Sequence, residues 1–110
     1  KIKILDLGGN QISDINIYET VNFKGLKKLK LNSKKISDIN VLGKVKFEKL
    51  ETLDLSRNQI SDINILEKVN FKELKKLNLS LNNISYIYIL LNVNFKKLDE
   101  LNLMGIGDWG

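Results

Sequence analysis

The chain has 110 residues, a formal net charge of +5, 43% hydrophobic residues, and neither cysteine nor histidine. Such a length supports one domain with a modest core, and the two missing residue types remove disulfides, the usual zinc and copper ligands, thiol nucleophiles and the side chain most used for proton transfer at neutral pH. No apolar run approaches the ~18 residues of a membrane span, no charged-then-apolar leader is visible, and the first residue is Lys1, so the sequence reads as an excised piece of a longer protein.

Leu5, Leu29, Leu53, Leu77 and Leu101 recur every 24 residues, as do Phe23, Phe47, Phe71 and Phe95. A fixed period of this size marks stacked supersecondary units, each unable to bury its apolar face alone. The single domain, residues 1–110, accordingly divides into units 2–25, 26–49, 50–73 and 74–97, with a partial fifth from 98.

In the first unit Leu5 and Leu7 alternate with Ile4, Asp6 and Gly8, the period of two that predicts a short strand. Strands that return once per unit run in the same direction and pair as neighbours in a parallel sheet. Gly8 and Gly9 make no phosphate loop, because GGNQIS has neither the lysine nor the helix placement such a loop needs. Asn10 ends the strand, and an inward carboxamide there both donates and accepts, serving backbone groups that the ladder leaves unpaired. Ser13, Asp14 and Ile15 open a short helical segment, with serine as its N-cap and the aspartate in the first turn, where negative charge suits the helix dipole. Phe23 closes the unit in the interior of the stack.

The second unit carries most of the basic excess, for LKKLKLNSKKIS sets lysines all around its apolar positions. Residues 1–50 hold eleven lysines against five acids, and residues 51–110 hold seven bases against eight. Lys34 replaces the turn asparagine. An unpartnered buried lysine is costly, so its ammonium is expected to reach solvent along the edge of the sheet. Ile39, Leu42 and Val45 are spaced by three and fit a short helical or 3-10 segment. The third unit keeps every feature, with Asn58, Asp62 and the trio Ile63, Leu66 and Val69. In the fourth, Tyr86 and Tyr88 replace the aspartate and the asparagine that follow the turn, and the fifth runs into MGIGDWG with Ile106 where asparagine belongs. Trp109 is a candidate cover for the last apolar face. N-x-S matches at Asn78 and Asn83 carry little weight in a chain this rich in asparagine.

Residues 50–66, LETLDLSRNQISDINIL, resemble the leucine-rich repeat, L-x-x-L-x-L-x-x-N-x-L. The I-S-D-I-x-x-L that follows the turn is most similar to the branch found in phosphatase-regulating proteins and bacterial internalins, whose units are usually shorter. The resemblance covers essentially the whole chain. It implies an α/β, right-handed leucine-rich repeat solenoid, a horseshoe segment with the parallel sheet on its concave face and short helical or 3-10 segments on its convex face. It also implies a protein-binding scaffold with no enzymatic activity and no cofactor.

Between the inward leucines, each strand presents residues that change in charge and size from unit to unit, so packing does not dictate them. The candidates for partner contact are Lys28, Lys30, Asn32, Thr52, Asp54 and Arg57 in units two and three. Units four and five add Lys76, Asn78, Leu81, Glu100, Asn102 and Met104. Lys28, Lys30 and Arg57 serve as cationic anchors, Leu81 and Met104 as exposed apolar ones. Such a mixed surface suits an acidic, partly amphipathic protein segment. Asp14, Asp38 and Asp62 form a column that raises calcium or acid–base chemistry, but capping explains them, and no nucleophile or histidine completes a catalytic set. The lysines of unit two lie on several faces without interleaved aromatics, which favours a solubility role over nucleic-acid binding. Two alternatives stand behind the scaffold: end-to-end stacking into homo-oligomers through uncapped faces, and binding of anionic surfaces through unit two. A chain without cysteine fits a reducing cytosol, and equally a bacterial surface or secreted protein.

Overall fold

The computed structural model describes residues 2–9, 13–16 and 24–106. Among them, five strands, β1 (Ile4–Asp6), β2 (Lys28–Lys30), β3 (Thr52–Asp54), β4 (Lys76–Asn78) and β5 (Glu100–Asn102), form one sheet in chain order. Every neighbouring pair is parallel and offset by one unit, so that Leu5 faces Leu29, Leu53, Leu77 and Leu101 in turn. Each unit is thus one coil of a right-handed solenoid, the hand that parallel crossovers adopt.

The ladder outlasts the strands. The amides of Leu7, Leu31, Leu55 and Leu79 donate to carbonyls one coil on, at 2.8–2.9 Å. Two residues later Gly9, Ser33, Arg57 and Leu81 do the same at 2.8–3.1 Å. Inside the coils Leu29, Leu31, Leu53, Leu55, Leu77 and Leu79 are fully buried, each such side chain contributing about 1.5–3 kcal/mol of transfer free energy. Phe47, Phe71 and Phe95 are buried beneath the opposite flank, with ring centroids 5.7 Å and 5.8 Å apart. They are core, as their spacing predicts; Phe23 lies outside the described residues.

The convex side carries 3-10 segments at Asn40–Gly43, Asn64–Glu67 and Tyr88–Leu91. Their starts correct the sequence reading. The N-cap positions are Ile39, Ile63 and Ile87, with no side-chain cap hydrogen bond, so Ser37, Ser61 and Ser85 are not caps. Asp38 and Asp62 precede the first turn instead of lying in it, and each Oδ1 accepts the amide of the residue two ahead, Asn40 at 2.9 Å and Asn64 at 2.8 Å. Asp14 accepts from Asn16 at 2.9 Å. A carboxylate that closes an Asx turn does the work expected of serine, because the aspartate stands one residue nearer the start of the segment. Tyr86 has no such acceptor and stands 75% exposed.

Candidate functional site

Alternation sets the site. While the strand leucines face inward, Lys28, Lys30, Thr52, Asp54, Lys76, Asn78, Glu100 and Asn102 remain exposed or half-buried on the sheet's other face. Over β3–β5, Thr52, Asp54, Lys76, Asn78, Glu100 and Asn102 line one shallow trough of about 580 Å³. Lys30 and Asp6 lie 3.8 Å apart, and so do Lys76 and Glu100. Such long, solvated pairs are worth well under ~1 kcal/mol, and a partner's carboxylate can displace them at little cost. Two neighbours in these rows belong elsewhere: Ser56 and Ser80 are buried, Ser56 donating from its amide and hydroxyl to Asp54 Oδ1 at 2.9 and 2.6 Å. Asn32 is half-buried, with Oδ1 enclosed and without a hydrogen-bond donor.

Behind the trough runs a second column that the sequence shows only in part. Asn58 Nδ2 donates to the carbonyls of Leu31, Leu55 and Ser56 at 2.9–3.1 Å. Its Oδ1 accepts from the amides of Lys34 and Ile36. Asn82 repeats the arrangement one coil on, donating to Leu55, Leu79 and Ser80 and accepting from Ile60. Each carboxamide therefore fastens the turn of the coil before its own. These contacts match the structural role expected of the asparagines; Asn10 lies outside the described residues.

Lys34 departs from expectation. Its side chain does not run out along the edge but is 1% exposed, and burial pushes its ammonium below the ordinary lysine pKa of 10.5.

The residue before the asparagine column is missed by alternation altogether. Ser33, Arg57 and Leu81 adopt φ of 59°, 57° and 56°, and Gly9 and Gly105 adopt 74° and 72°. The turn thus demands a left-handed backbone in every coil, at a cost of roughly 1–2 kcal/mol for a residue with a Cβ. Glycine at both ends of the column was the available signal. Arg57 and Leu81 are consequently held outward by the backbone, Leu81 39% exposed beside Met104 at 69%.

These coils are those of a leucine-rich repeat. A family model described as "Leucine Rich repeats (2 copies)" matches residues 24–68, and one described as "Leucine Rich repeat" matches residues 1–15 and 73–86. The chain belongs to the leucine-rich repeat proteins. Among solved structures it is similar to an internalin (inlF) from Listeria monocytogenes, at 28% identity and a TM-score of 0.76 over 96% of this chain and 30% of that one. It is also similar to an internalin C2 (inlC2) from Listeria monocytogenes, at 29% identity and a TM-score of 0.74 over 92% of this chain and 41% of the other. The chain therefore spans less than half of the length of either. No curated protein matches it. Among the described residues, no helix is long and apolar enough to cross a membrane.

Proposed function

We propose that the chain is a non-catalytic scaffold that binds a partner protein across its parallel-sheet face. The observation that carries this reading is the contrast within each coil: the same apolar residues recur at the buried positions, while the trough over β3–β5 runs from Thr52 to Lys76 to Glu100 along one row. Lys28, Lys30 and Arg57 supply positive charge, Leu81 and Met104 apolar contact, and the remaining strand residues polar hydrogen-bonding groups. An acidic, partly amphipathic segment has the matching chemistry. The family and the internalin neighbours support a protein-interaction scaffold.

A photo-cross-linking residue placed at Asn78 should capture a protein from extracts of the source cells, while the same residue at Asn64 on the convex side captures none. Lys28→Glu with Lys30→Glu should abolish the capture and leave thermal unfolding nearly unmoved. Equal capture from both positions, or capture indifferent to the double substitution, would exclude the sheet face.

A second reading rests on the ends of the stack, where the inward Leu5 and Leu7 are only half-buried and Leu101 is exposed. Coil ends that no neighbour covers can stack into homo-oligomers. A monomer that persists at every concentration in size-exclusion chromatography removes this reading.

A further inference from the structure

We propose that a cleft on the flank between coils two and three is a separate binding site for an acidic peptide segment carrying an apolar side chain. The cleft measures about 640 Å³ and lies where the convex segments turn back toward the next strand, away from the sheet face. Its rim is formed by Lys44, Lys46, Lys68 and Lys72, against a single carboxylate, Glu48. Lys46, Lys68 and Lys72 make no ion pair among the described residues. The floor consists of Val45, Phe47, Val69 and Phe71, core side chains whose edges show at the bottom.

Coil two differs from its successors around this cleft. Gly43 stands where coils three and four carry Glu67 and Leu91, and a Cβ on it would lie 2.8 Å from Ile65 Cδ1. The Ile65 side chain of coil three therefore occupies the space that a side chain at position 43 would take. Lys46 stands where the later coils carry Asn70 and Asn94. One coil further on lies a smaller cleft of about 370 Å³ with no Val or Phe in its lining, where Lys97 pairs with Glu73 at 2.9 Å. Among the described residues, a lysine rim is thus joined to an apolar floor between coils two and three, whereas the next cleft has lysines without that floor.

Charge complementarity names the occupant. Carboxylates placed about the rim meet the ammonium groups of Lys46, Lys68 and Lys72, and a leucine-like side chain between them reaches the floor. A membrane surface fits less well. The site is recessed, and none of the exposed large hydrophobic side chains, such as Tyr86, Leu91 or Met104, lines it, so nothing beside the lysines enters a bilayer. Nucleic acid fits less well again, for want of an exposed aromatic stacking surface at the rim.

The test is a titration of the isotope-labelled chain, followed by amide chemical shifts, with a capped acidic pentapeptide that has leucine at its centre. Shifts should cluster at residues 44–48 and 68–72, leave β4 and β5 unmoved, and fade as salt rises from ~20 mM to ~500 mM. Lys46→Glu with Lys72→Glu, both exposed and outside the core, should weaken the affinity by about tenfold or more while the dispersed spectrum shows the fold intact. The proposal is overturned if no residue shifts, if the double variant binds as well, or if the shifts map to the sheet face. It is overturned too if vesicles of phosphatidylserine shift residues 44–48 and 68–72 and the peptide does not, which gives the site to a membrane. Because the sheet face is read separately, a failed flank leaves the scaffold reading untouched.

Discussion

At position 34 the array gives up a carboxamide for a buried ammonium. Burial disfavours its charged form, so the unfolded chain holds this proton more tightly than the folded one. Stability must then rise as pH climbs through the lowered folded value toward 10.5, and the penalty is fully present below that window. Lys34→Asn offers the carbonyls of Leu7 and Leu31 the donor that Asn58 offers to those of Leu31 and Leu55. It should raise urea-measured stability by about 1–2 kcal/mol at neutral pH, and the advantage should shrink above pH ~10. A variant whose advantage is the same at every pH places the cost elsewhere. Arg57, at φ 57°, offers a second measurement. Arg57→Gly relieves the left-handed backbone and should stabilise the fold by about 1 kcal/mol while weakening binding at the sheet face; loss on both counts would mean that the guanidinium holds the turn.

At the scale of one coil, strand, turn and convex segment are separate solutions to backbone pairing joined by a shared interior. Phe71 is central to that interior, between Phe47 and Phe95, and Phe71→Ala should cost about 3–5 kcal/mol in chemical denaturation. Much of the coil was legible in the sequence, because leucine and phenylalanine positions obey a period that packing imposes directly. The strands, their parallel order and the buried Phe stack follow from it. The caps were not legible at the same level: Ser37 and Asp38 are both good cap formers, and only geometry shows that the segment starts at Asn40, which puts Asp38 in reach and leaves serine out. The flank cleft was hidden for a different reason, since Lys44 and Lys72 are distant in the chain and meet only when coils two and three stack. Lys34 was misread because a residue's usual preference for water says nothing about the space its neighbours leave.

At the scale of the molecule, stability is a sum of neighbour contacts, so it cannot be uniform along the stack. Coil three has a full coil on each side and keeps Leu53, Leu55, Ile60 and Leu66 wholly buried, whereas Leu90 of coil four, the counterpart of Leu66, is half-buried and Leu101 of coil five is exposed. Amide exchange should therefore be slowest at Leu53 and Leu55 and faster by orders of magnitude at Leu101 and Leu103, as measured by native-state hydrogen exchange; equal protection throughout would mean a single all-or-none unit. The identical register at all four strand junctions, Leu facing Leu each time, has one more consequence. Because every junction obeys the same docking rule, length is decoupled from architecture. A spliced duplicate of residues 50–73 adds one new junction, coil three upon coil three, in the register that the other junctions share, and it widens the recognition face by about 4.8 Å. Reach can thus be adjusted by whole increments, while chemistry is adjusted within each increment by the few letters that never touch the core.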